Sequence, residues 1–331
     1  MESLTISPGQ RALRFAGLAG AFVLGAVLLL AAYAKAIDPS AFAEQIHGDG
    51  LDRFLSAPLL ALFAIGVEVL LGSLLVLEVR RLWVLVPAAA LVAFFLLLTG
   101  RAYWQFVHGT LPADANCGCF GNLIERTPAQ AFWQDAALLV PALVLSFFGR
   151  VRGASRFPVA RSVLAAALTT AAVAFARVAP TLPLDDLATR LKSGVAINEI
   201  CAGAKADRVC FGSVLPEIEQ GRHLLVLADL TAPAFIAEVD TLNAYAQGGR
   251  GPKLWVLSGG TAEVTRAFFW KNGPAFEIRE VPQALLRPLY RKLPRAFLVE
   301  SGRVTRTWSG LPPFDELGEA VRLAVAEKGS S

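Results

Sequence analysis

FAGLAGAFVLGAVLLLAAY, residues Phe15–Tyr33, contains no charged side chain. A helix needs about 20 predominantly apolar residues to cross the hydrocarbon core of a bilayer, so this stretch predicts a membrane span. The residues after it, YAKAIDPSAF, carry no small-residue cleavage site, so the run is expected to be retained and not removed as a signal. Four further runs meet the same criterion, at about Ala57–Leu77, Leu82–Thr99, Ala131–Phe148 and Val159–Ala179, the last rich in Ala and Thr.

The composition agrees. The 331 residues are 55% hydrophobic and 18% charged, and mean hydropathy is +0.52. That is too apolar and too poor in charge for an ordinary soluble or disordered chain. The net charge of +4 is modest, and no basic stripe with interleaved aromatics occurs, which sets nucleic acid aside as a partner. Basic residues in the short loops orient the spans. Arg11, Arg14, Arg80, Arg81, Arg150, Arg152, Arg156 and Arg161 fall on one side, and only Lys35, Arg53, Arg101 and Arg126 on the other. The positive-inside rule places the N-terminus in the cytoplasm. Five spans then put everything after Ala179 outside the cytoplasmic membrane, in the bacterial periplasm or its equivalent. The lipid bilayer is thus the first expected partner.

Beyond about Pro180 the pattern changes. TLPLDDLATRLKSG reads as a linker over residues 181–194. HLLVLADL (His223–Leu230) and KLWVLSG (Lys253–Gly259) are continuous apolar runs suited to buried strands. FIAEVDTLNAYAQ and Thr261–Lys271 read as helices, RAFLVES with RVTRTWSG reads as a hairpin around Gly302, and a last helix is expected over about Phe314–Ala326. This β-α-β-α-β-β-α order resembles the thioredoxin fold. Leu293-Pro294, directly before the hairpin, stands where that family keeps a cis-proline. Where the family carries Cys-x-x-Cys, this chain has Ala232-Pro233-Ala234-Phe235. The resemblance therefore implies the fold without its usual nucleophile.

Residues 1 to about 150 carry a second resemblance. YAKAIDPSAFAEQI after the first span, Gly66-Val67-Glu68 in the second, and Cys117-Gly118-Cys119-Phe120-Gly121 before the fourth are similar to the methylamine utilisation protein MauE and the wider DoxX-like membrane family. The organisation expected is a four-helix membrane bundle over 1–150, a fifth transmembrane helix over 151–180, the linker, and a thioredoxin-like α/β domain over 195–331. The MauE resemblance implies a place beside a thioredoxin-like partner, MauD, in maturing a disulfide-rich periplasmic dehydrogenase subunit of methylamine metabolism. The implied partner is a periplasmic client or a thiol-redox protein.

The four cysteines come as two local pairs, both on the outer, oxidising side of this topology. Cys117 and Cys119 read as a redox pair, since a Cys-x-Cys disulfide closes a tight ring that is comparatively easy to reduce. A permanent bond, or two thiols packing the loop, is the other reading. A metal is not expected, because no third and fourth ligands accompany the pair and His108 is the only nearby histidine. Cys201 and Cys210 read first as a static disulfide pinning the arm before the first core strand, and second as a shuttle pair for the membrane dithiol. Glu68 is a mid-span acid that needs Lys35, Arg101 or a proton; it stands either in a quinone or thiol pocket or in a helix–helix hydrogen bond. Asp38-Pro39 is expected to stop the first helix, and Trp83, Tyr103 and Trp104 to act as interfacial anchors. The histidines receive no role, and no cofactor is evident: a quinone near the pair, as the vitamin K epoxide reductase family uses with a different motif, has no residue here to support it. Two functions stay open: thiol–disulfide exchange or isomerisation, and a non-catalytic assembly or maturation scaffold whose disulfides are structural.

Overall fold

A computed structural model describes residues 8–109, 126–148, 158–202, 208–249, 251–314 and Leu317. The chain divides after Leu182 into two compact units.

The first unit is helical: α1 (Pro8–Ile37), α2 (Pro39–Gly48), α3 (Ala57–Val76), α4 (Leu82–Val107), α5 (Pro128–Phe147) and α6 (Val159–Val178). Five of its helices are long and apolar enough to cross a membrane. α1 stops at Ile37 because Asp38 and Pro39 restart the chain. The Asp38 carboxylate accepts from the Ala41 N–H at 3.1 Å, and Pro39 occupies the first helical position, where a missing N–H costs nothing. α2 then lies along the start of α3, with Ala43 and Ile46 against Ala57 and Ala61.

α1 packs against both α3 and α5, and glycines make that possible. A Cβ at Gly25 would stand 2.7 Å from the Gly72 carbonyl oxygen, and one at Gly72 3.0 Å from the Gly25 carbonyl oxygen. A Cβ at Gly20 would meet the Ala142 carbonyl oxygen at 2.7 Å. Small residues let helix backbones approach where lipid supplies no hydrophobic drive between helices. Leu24, Leu28, Leu71, Leu74 and Leu85 fill the core, while Phe22, Leu30, Phe63 and Leu97 face outward, as a lipid-facing surface allows. α6 packs on α3 and is the least buried of the five long helices.

The second unit begins with a short helix α7 (Asp185–Ala188). A minimal hairpin follows, β1 (Cys201–Ala202) with β2 (Val209–Cys210), and then a turn of helix α8 (Phe211–Val214). The main elements are β3 (Arg222–Leu227), α9 (Pro233–Ile236), α10 (Val239–Gly248), β4 (Lys253–Ser258), α11 (Ala262–Asn272), β5 (Glu277–Glu280), α12 (Gln283–Leu286), β6 (Arg295–Glu300) and β7 (Arg303–Trp308). The sheet order is β5-β4-β3-β6-β7, with β3, β4 and β5 mutually parallel and β6 and β7 antiparallel. Alternate residues of β3 serve opposite faces, as a two-residue period requires. Leu225 and Leu227 join Trp255, Phe297, Phe211 and Leu286, whereas Leu224 and Val226 join Phe235, Leu242 and Phe268.

Several expectations change here. Residues 183–194 are not a linker but part of the second unit, with Ala188 and Leu191 buried. The cause is Arg295. Its fully buried guanidinium donates to Asp186 Oδ1 at 2.9 Å, to the Leu191 carbonyl at 3.2 Å and to Thr189 Oγ1, so this segment must fold over it. The expected four-stranded order gains β5, an edge strand whose alternation of Glu277, Arg279 and Glu280 with Ile278 hid it among charged residues. The single helix expected from FIAEVDTLNAYAQ is broken between α9 and α10. Most of the expected Phe314–Ala326 helix lies outside the described residues.

Candidate functional site: a thiol-free groove beside the cis-proline

β3 ends at Leu227 and delivers Ala228–Thr231 to the carboxyl end of the sheet, where ligand crevices of parallel sheets form. Asp229 Oδ1 accepts from the Thr231 N–H at 2.8 Å and from its hydroxyl at 2.6 Å, which turns the chain sharply. Ala232 then caps α9, with Pro233 at its first position and Phe235 buried against Phe268. The turn thus keeps its architecture with no sulfur in it. Across from it the Leu293–Pro294 peptide is cis.

Between these lies a cavity of about 270 Å³ whose lining includes Asp229, Thr231, Ser258, Gln283, Tyr290 and Leu293. Gln283 Nε2 donates to the Tyr290 hydroxyl at 3.1 Å, and the Gly260 N–H donates to Ser258 Oγ at 3.1 Å. Gly259 has no room for a side chain: a Cβ there would lie 1.8 Å from Gln283 Oε1. Polar groups and an apolar floor of Leu257 and Leu286 can hold a peptide segment, but nothing in the lining can carry electrons. Sequence reading missed Ser258, Gln283 and Tyr290, because their convergence depends on β4, α12 and the loop before β6 meeting at one end of the sheet. The Asp-x-Thr spacing at 229–231 was the one local signal.

Arg295 follows Pro294 directly and fastens this loop from below. Burial pushes its guanidinium pKa down, against the opposing pull of Asp185 and Asp186.

Cys201 and Cys210 are bonded to each other and face each other across the β1–β2 hairpin. Cys117 and Cys119 lie outside the described residues. The helices on either side of their loop, α4 and α5, pack together, and Tyr103 stacks there on Phe132 with centroids 5.6 Å apart. Tyr103 therefore packs between α4 and α5, while Trp83 and Trp104 are exposed. Arg126, just before α5, pairs with Asp135 at 2.7 Å.

Glu68 is fully buried in the bundle and bonded to Lys35, also buried; Arg101 is exposed and is not its partner. The Lys35 ammonium lies 5.1 Å from the centroid of Phe42 and 5.0 Å from that of Phe95. A second concavity, of about 540 Å³ and mostly apolar, lies between α2, the start of α3 and the end of α6, with Glu44, His47 and Arg177 among its lining.

The second unit is thus a thioredoxin-like α/β domain, defined by its strand order and cis-proline loop, joined to a bundle of membrane-spanning helices. Residues 13–148 match the family model of the methylamine utilisation protein MauE, which covers under half of the chain. The second unit is similar to solved structures that include the following three. A putative thiol:disulfide interchange protein DsbE from Chlorobium tepidum is 17% identical over 40% of this chain and 97% of its own, with TM-score 0.32. A putative thioredoxin from Neisseria meningitidis is 14% identical over 43% and 95%, with TM-score 0.31. Peroxiredoxin Q from Xanthomonas campestris is 18% identical over 41% and 97%, with TM-score 0.29. Among curated proteins none matches significantly.

Proposed function

We propose that this protein handles thiols and disulfides at the outer face of a bacterial cytoplasmic membrane, in the maturation of a disulfide-rich periplasmic client. In this reading the N-terminus is cytoplasmic and five spans carry the second unit to the periplasm. The groove beside Pro294 holds the client chain, and Cys117 and Cys119 exchange with its thiols by thiolate attack on a disulfide sulfur. The observation that carries the reading is the intact but thiol-free turn Ala232–Phe235 beside the cis-proline cavity. A groove kept without its nucleophile suits binding, with backbone hydrogen bonds supplying affinity. The MauE match of the membrane region supplies the maturation context. Methylamine metabolism enters only through that family.

The test is acid trapping and alkylation of thiols in cells that carry the wild type, Cys117→Ser or Cys119→Ser. Mixed disulfides with another protein that accumulate in one single variant are the expected result. A 117/119 pair that is always oxidised in the wild type, together with Cys→Ser variants that keep full function, leaves the scaffold reading instead. That second reading draws on the thiol-free turn itself, since a relay would be expected to keep its best nucleophile there.

A further inference from the structure

Cys201 and Cys210 occupy an odd place for a staple. The residues on either side of the bond are already anchored: Ile200 and Phe211 are buried in the same core, and the Phe211 N–H donates to the Ile200 carbonyl at 3.0 Å. The hairpin base is therefore closed without sulfur. A crosslink stabilises chiefly by restraining the unfolded chain, the more so the longer the loop it closes; the loop here is short, and the contacts at its base do not need the bond. Both cysteines are only half-buried, so a thiolate can reach them.

Their position also matters. β1 packs against α12, with Ala202 against the cluster that contains Leu285 and Leu286. α12 in turn contributes Gln283 and Leu286 to the wall of the cis-proline cavity. One turn of helix thus separates the only described disulfide from the groove that lacks a thiol pair.

We propose that the Cys201–Cys210 bond is the exchange-active group of the second unit, standing in for the missing pair at Ala232–Phe235. The inference rests on the thiol–disulfide reading above and adds the group that reacts. A client thiolate attacks one sulfur of the bond, and the other cysteine leaves as a thiolate. The second client thiolate then attacks the client sulfur of the mixed disulfide, closing the client disulfide and releasing the remaining cysteine. The client loses two electrons and two protons; Cys201 and Cys210 gain both and end as thiols. Each turnover thereafter needs another protein disulfide as oxidant.

The full chain is tested in nanodiscs in a Cys117→Ser/Cys119→Ser background, so that no sulfur outside 201 and 210 reports. The probes are reduced glutathione and a synthetic peptide with two cysteines. The expected result is a bond that opens under glutathione without loss of the near-ultraviolet circular dichroism signal. Stoichiometric oxidation of the peptide follows, and is abolished in Cys201→Ala/Cys210→Ala. A bond that resists glutathione, that opens only with loss of the folded signal, or that opens without oxidising the peptide overturns the proposal. Because the membrane pair is absent from this protein, such a failure leaves the trapping experiment on Cys117 and Cys119 to decide the broader reading.

Discussion

Lys35 and Glu68 show what one pair of side chains can require of a bundle. Both are buried, and among the described residues Glu68 Oε2 has no hydrogen-bond partner. Breaking a buried ion pair strands a charge, whereas replacing both partners with apolar groups removes the desolvation cost as well. Lys35→Met or Glu68→Leu alone should therefore cost about 3–5 kcal/mol, and the double variant far less. Reversible unfolding in mixed micelles measures this, and a double variant as damaged as the two singles added together would refute it. A polar pair at the water surface behaves differently. His47 Nδ1 and Asp52 Oδ2 are 2.6 Å apart. The Asp52 hydrogen bond, reinforced by its charge, raises the His47 pKa above 6.5, and the same bond lowers that of Asp52 below 3.8. The support this pair gives to the α2–α3 loop is thus lost as pH rises through the raised His47 value, and again as pH falls through the lowered Asp52 value. Nuclear magnetic resonance titration should show the His47 pKa falling toward 6.5 in Asp52→Asn; an unchanged value counts against the pairing.

Helices and strands were legible in the sequence to unequal degrees. Long apolar runs identify the spans because the bilayer demands length and apolarity together. Which of those helices touch is set by Gly25 and Gly72, whose mutual approach no hydropathy pattern discloses. Gly25→Ala should destabilise the bundle by roughly 1–3 kcal/mol through forced displacement of α3. Gly9→Ala, where the added methyl meets open space, should not destabilise it. Equal melting temperatures for the two variants would remove Gly25 as a contact determinant. The buried strands β3 and β4 announced themselves as apolar runs, but β5 and the two-residue strands of the cysteine hairpin did not. Edge strands and minimal hairpins take their form from partners and carry little pattern of their own. The segment 183–194 was misread for a related reason: its aspartates and threonine answer Arg295, a residue about a hundred positions away.

At the scale of the molecule, the arginine asymmetry of the loops expects opposite sidedness for the two chain ends. In a variant without native cysteines, an impermeant maleimide added to intact spheroplasts should label Trp270→Cys and spare Gly9→Cys until the membrane is opened. Labelling of both, or the reverse pattern, would invert the topology. The exposed surface of Trp270 makes it a suitable reporter. By itself the sequence determined that the chain enters a membrane, that an α/β unit follows, and that this unit has no cysteine at the turn after its first core strand. Those properties are local, written in run length, periodicity and residue type. Only the tertiary structure decided that Lys35 answers Glu68, that Arg295 gathers residues 185–191 beneath the cis-proline loop, and that the Cys201–Cys210 bond shares α12 with the thiol-free groove. These are meetings between residues distant in sequence, and close packing with satisfaction of buried polar groups selects them.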